Sequence, residues 1–132
     1  MASKAINLGA FTASLRRNGK KLTEDDLVLF HKKVSLDALG RVVEKTPVDT
    51  GRARANWQVG IDNAPEGEVP IGTDPRGNGL AALTALRPNR VVYISNNVEY
   101  IVPLEEGSSN QAPNGMVAVT LEELSQQFGG GA

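Results

Sequence analysis

The chain has 132 residues, 40% hydrophobic and 22% charged, which suits one ordinary globular domain and excludes collagen-like and strongly disordered classes. Fourteen basic and fifteen acidic side chains leave a net charge of −1, so tight, sequence-independent nucleic-acid binding of the strongly basic kind is not expected. Cysteine is absent and His31 is the one histidine, which removes disulfide scaffolds, thiol catalysis, thiolate metal sites and every metal motif that needs two histidines.

No stretch approaches the ~20 apolar residues of a membrane span, and the start lacks a signal peptide's apolar core. The expected product is soluble and intracellular. The even overall charge hides an asymmetry. Residues 1–66 hold eleven Lys/Arg and eight Asp/Glu, whereas residues 67–132 hold three and seven. A protomer with a positive and a negative side suits head-to-tail packing around a ring, although solvated surfaces also produce half-sums of this size.

Residues 1–22 read as an N-terminal arm that orders on assembly. Its weak alternation (Ala5, Ile6, Asn7, Leu8) leads to a basic turn in which Arg16, Arg17, Lys20 and Lys21 surround Asn18-Gly19. Residues 23–46 carry the strongest helical pattern. Thr23 is the expected N-cap, and Glu24, Asp25 and Asp26 place negative charge in the first turn. Leu27, Phe30, Val34, Ala38 and Val42 form one apolar stripe, and Leu29, Leu36, Leu39 and Val43 widen it or build a second. Leu29, Leu36 and Val43 are therefore candidate interface residues, with core packing the alternative for Leu36 and Val43.

Thr46-Pro47-Val48-Asp49-Thr50-Gly51 reads as a structural turn, carried by Pro47, Asp49 and Gly51. Ala53, Ala55, Trp57, Val59 and Ile61 then alternate with Arg52, Arg54, Asn56 and Gln58, the period of a half-buried strand; a short helical turn over residues 52–55 is the alternative. Residues 62–90 are loop-rich, with an edge strand expected near 68–72 and two helical turns over 80–86. Residues 73–80, like the arm, are expected to become ordered against a neighbour. Val91-Val92-Tyr93-Ile94-Ser95 predicts a strand beside the Trp57 strand, and residues 116–119 a final short one. Thr120-Leu121-Glu122-Glu123 has capping-box spacing and opens a short C-terminal helix. Residues 129–132 form a flexible tail after a single domain over 23–128. The fold class is α+β: one long N-terminal helix packed on a small, mostly antiparallel sheet, with a short C-terminal helix.

Chemical motifs are weak. Gly77-Asn78-Gly79-Leu80-Ala81-Ala82 matches a dinucleotide-binding pattern, but no buried strand leads into it. No G-x-S-x-G surrounds a serine, and the Glu105-Glu106 and Glu122-Glu123 pairs are adjacent residues that share no site by spacing. No catalytic residue, metal ligand or cofactor site is expected, and the chain is not read as an enzyme. A small nucleic-acid-binding module using the basic turn is the alternative from another class, although the turn lacks the interleaved aromatic residues that favour such binding.

Two stretches go beyond generic patterning. Residues 46–52 (Thr-Pro-Val-Asp-Thr-Gly-Arg) end a long helix and are followed closely by Trp57. Residues 97–109, from Asn97-Val98-Glu99-Tyr100 to Glu105-Glu106-Gly107-Ser108-Ser109, are followed by Gln111-Ala112-Pro113 and Gly115-Met116-Val117. Their order and separation resemble the tail-completion, or neck, proteins of long-tailed double-stranded DNA bacteriophages, over residues 24–128. The resemblance implies an α+β fold, no catalysis and no cofactor. It also implies a structural virion protein, made in the host cytoplasm, that forms a six- or twelve-fold homo-oligomeric ring joining tail to head. Its implied partners are the adjacent terminator, head-closure or tail-tube proteins. No membrane and no specific nucleic acid are implied, although packaged DNA passes through such a ring. The tail terminator and head-closure (stopper) proteins are the neighbouring roles. Glu105 and Glu106 are expected to be exposed and to meet a basic neighbour, completing a candidate interface with Arg16, Arg17, Lys20, Lys21, Leu29, Leu36 and Val43.

Overall fold

Thr23 opens the first helix, α1 (Glu24–Lys45), with a reciprocal capping box. The Asp26 amide donates to Thr23 Oγ1 and the Thr23 amide to Asp26 Oδ2, both at 3.1 Å. The bond from the Thr23 amide is the main cause that holds the Asp26 carboxyl below its ordinary value. The computed structural model describes residues 22–49 and 51–129, so nearly all of the basic N-terminal arm, with Arg16, Arg17, Lys20 and Lys21, lies outside the described residues. So does most of the C-terminal tail.

The rest of the order is α2 (Arg52–Ala55), β1 (Trp57–Ile61), α3 (Pro75–Leu83), β2 (Val92–Asn96), α4 (Ile101–Glu105) and α5 (Val117–Leu124), which runs into a π-helical turn, Ser125–Gly129. The architecture is the α+β class expected from the sequence. Two antiparallel strands pair Trp57 with Asn96 and Ile61 with Val92 at the ends of the ladder. Leu39, Val42, Trp57, Ala112 and Met116 form the core, with Val43, Val59, Ile94, Ile101, Leu104 and Val117 packed against it. At the other end of α1, Phe30 meets Phe128 edge to face, with ring centroids 5.7 Å apart.

Of the two apolar stripes on α1, the second does not form a separate face. Leu39 is fully buried at the centre of the core and Val43, half-buried, packs against it, the core packing weighed above. Leu36 is half-buried, while Leu29 is 68% exposed. A 3.6-residue period marks which residues share a side, but the width of the buried sector depends on what packs there.

Several local expectations need correction. The run from Arg52 to Ala55 is helical, the alternative weighed above, because Gly51 adopts φ +83° and its carbonyl accepts from the Ala55 amide. The strand therefore begins at Trp57. Residues 68–72 form no strand; the Asn56 side chain instead holds both the amide and the carbonyl of Val69, at 2.8 and 3.2 Å.

The helix expected over 80–86 starts at Pro75, after an Asp74 cap that accepts from the Arg76 amide. It packs on β1 and α1, so most of residues 73–80 is already structured without a neighbour. The glycine pair read against the nucleotide motif has a packing use: a Cβ on Gly79 would fall 2.3 Å from Leu39 Cδ2.

Finally, residues 117–119 are the start of α5 and not a strand. Thr120 lies buried inside that helix, so its capping-box spacing is not used as a cap.

Candidate functional site

The two stretches that carry the resemblance are some fifty residues apart in sequence, and the fold brings them to one corner beside the C-terminal end of α1. Pro47 forces Thr46 into an extended conformation, φ −74° and ψ 128°, which stops the helix. Thr46 is buried, and its Oγ1 accepts from the Trp57 indole Nε1 at 2.7 Å while donating to the Val42 carbonyl. Arg54 reaches back to the same helix end, donating to the carbonyls of Thr46 at 2.9 Å and Glu44 at 3.1 Å. A cation at a helix C-terminus both satisfies orphan carbonyls and complements the dipole.

Asparagines tie the corner to the sheet. Asn56, fully buried, donates to the Arg52 carbonyl. Asn96 donates to the Ala53 carbonyl at 2.8 Å and accepts from the Val98 amide at 3.1 Å. The polar residues between the small and apolar ones are thus mostly internal fasteners. Alternation alone assigns Arg54 and Asn56 to a solvated strand face, and Gly51 was the one signal that the chain restarts as a helix there.

Arg52 faces outward. It makes a bidentate pair with Glu68, both bonds 2.8 Å, lies 3.5 Å from Glu99, and stacks over the Tyr100 ring at 5.4 Å. The hydrogen bonds to Glu68 are the main cause of its raised pKa, and the same bonds hold the Glu68 carboxyl low.

The second stretch closes over this corner. Gln111 Oε1 accepts from the Val48 amide at 3.0 Å. Between the two stretches lies an open cleft of about 430 Å³. Pro47, Asp49 and Gly51 form one wall, and Tyr100, Leu104 and residues of the 108–111 loop form the other.

The sequence-derived residues fall into distinct groups. Pro47 and Gly51 make the turn as expected, and Asp49 stands exposed at the cleft. Glu106 is exposed, but Glu105 is turned inward: its Oε1 accepts from the amides of Met116 and Val117 at 2.9 and 2.8 Å, and its Oε2 from Ala118 at 3.0 Å. The expectation that Glu105 meets a basic neighbour is therefore corrected: it is the N-terminal cap of α5, held there because unpaired helix amides attract a carboxylate. Leu29 lies on the N-terminal half of α1, and the structure does not bring it to the cleft.

An ion-pair network that sequence reading missed joins α1 to α5: Arg41 to Asp37 and Glu123, and Lys45 to Glu123 at 2.6 Å. The hydrogen bond from Lys45 is the main cause of the lowered Glu123 pKa. His31 is half-buried, and desolvation lowers its pKa. Among the described residues no group of three His, Asp or Glu is placed to hold a metal, and no helix is long and apolar enough to cross a membrane. No family model, curated protein or solved structure matches the chain.

Proposed function

We propose that this chain is a structural virion protein of a tailed bacteriophage: a neck or tail-completion subunit that assembles as a ring at the head–tail junction and joins tail to head. The observation that supports the reading is the convergence of the two resembling stretches, residues 46–52 and 97–111, on one cleft-bearing corner. The two stretches meet through the Val48–Gln111 hydrogen bond and the contacts of Arg52 with Glu99 and Tyr100, so they are neighbours in three dimensions and not only in sequence order. The subunit works by assembly: heterologous contacts between copies close the ring, and contacts with the neighbouring proteins hold tail to head. Tail terminator and head-closure protein are neighbouring positions within the same reading.

Size-exclusion chromatography with light scattering, followed by negative-stain microscopy, tests it. The expected species is a closed ring of about six or twelve copies, as cyclic heterologous contacts produce. A monomer that also fails to bind purified phage tails overturns the assignment.

A further inference from the structure

We propose that the cleft at the C-terminal end of α1 is the receptor for the basic arm, residues 16–21, of a second copy of this chain. The inference deepens the reading above and rests on its premise that the subunit self-associates. Two independent observations support it.

The first is charge. The arm carries Arg16, Arg17, Lys20 and Lys21, and no acidic residue precedes Glu24. At the cleft Asp49 lines one wall. Glu106 is exposed and lies in the chain between the lining residues Leu104 and Ser108. The cations of this corner are engaged: Arg52 is shared between Glu68 and Glu99, and Arg54 donates to the last carbonyls of α1. The Ser108, Ser109 and Tyr100 side chains add hydroxyls along the wall, suited to the amides and guanidiniums of an extended basic segment.

The second is reach. The arm joins α1 at Leu22, whereas the cleft lies beyond the other end of the helix, at Pro47. Twenty-five residues at 1.5 Å each separate these points by about 38 Å. From Leu22 back to Arg16, six fully extended residues span at most about 21 Å. A subunit's own basic segment therefore falls short of its own cleft, so an arm that fills it comes from another copy. Such a contact is heterologous: each subunit gives an arm at one end of α1 and receives one at the other, the arrangement that closes rings.

The test separates the cleft from the ring. A fluorescent peptide of residues 14–22 is titrated by anisotropy into the full-length chain carrying Arg16→Glu, Arg17→Glu, Lys20→Glu and Lys21→Glu, whose own arms no longer compete. Saturable binding is expected, weakened at least about tenfold by adding Asp49→Lys and Glu106→Lys, and weakened by high salt. Both added positions are exposed, and an unchanged thermal midpoint verifies that the fold is retained. Absence of binding, equal binding of a scrambled peptide of the same charge, or binding indifferent to the cleft substitutions overturns the proposal. Light scattering of the unmodified chain reports separately whether it assembles. Peptide binding in a chain that remains monomeric leaves the receptor cleft standing and removes the ring.

Discussion

Gly115 sits at φ +84°, and a Cβ there would fall 2.4 Å from the Glu105 carbonyl oxygen. Gly67 has a similar dihedral, φ +77°, with nothing within 4 Å of the same position. The pair separates two effects that a glycine substitution usually mixes. Gly67→Ala carries only the left-handed strain of about 1–2 kcal/mol. Gly115→Ala adds an overpacking term of about 1–3 kcal/mol against backbone that is held by α4. Urea unfolding, followed through the single tryptophan, is expected to show the larger loss at Gly115; equal losses would mean that the loop yields freely. At this scale the sequence was a good guide where a residue acts on its own backbone, as with Thr23, Pro47 and Gly51. It misplaced Asn56 and Glu105, read as a strand-face residue and an exposed acid, because their partners Val69 and Met116 are more than ten residues away.

Helix α5 illustrates the element scale. Its first residues, Val117-Ala118-Val119, follow Met116 in a run that favours strand by composition. No Ser, Thr, Asp or Asn caps it from the preceding position, which Met116 occupies. The cap comes from Glu105 at the end of α4, so two short helices are joined by one carboxylate. Replacing Glu105 with Ala should destabilise the protein by about 1–2 kcal/mol. Hydrogen exchange at the amides of Met116, Val117 and Ala118 should accelerate more than at Leu39, in the middle of α1. Uniform acceleration would indicate global destabilisation with no particular role at this helix end. The α3 boundary has a similar logic. The Asp74-Pro75 start was a legible signal, but two glycines within the helix argue against it until Gly79 is seen against Leu39 and Val59.

Over the whole molecule, long-range ion pairs link the helices and loops around the small sheet. Arg52–Glu68 fastens the loop after β1 to α2, and Lys45–Glu123 with Arg41–Glu123 fastens α5 to α1. Both glutamates have folded pKa values below the ordinary 4.5. Their contribution is therefore fully present above that value and is lost as pH falls through the depressed folded values. The urea midpoint should fall on acidification below about pH 4.5, and part of that fall should be absent in Glu123→Gln. An identical pH profile for the variant would show that the network does not couple to folding. The pairs are partly solvent-exposed, so the effect is small and weakens with salt.

Sequence alone determined the features whose causes are local. These are the start and stop of α1, the turn after it, the β-branched strand near residue 92, and the α+β class that follows from one long helix and short strands. Each depends on groups within about one helical turn or one strand step of each other, and periodicity and capping rules describe that range. Tertiary structure decided the rest. It set the width of the buried sector of α1, because Leu39 and Val43 of the second stripe join Val42 of the first around Trp57 and Met116 from distant segments. It turned an apparent strand into α5 through the Glu105 cap. It also assembled the cleft, since residues 46–51 and 100–111 become neighbours only after β1 and β2 pair and carry the chain back to the end of the helix. A side chain's partner across such a distance is set by the packing of the entire chain, and no short stretch of sequence encodes it.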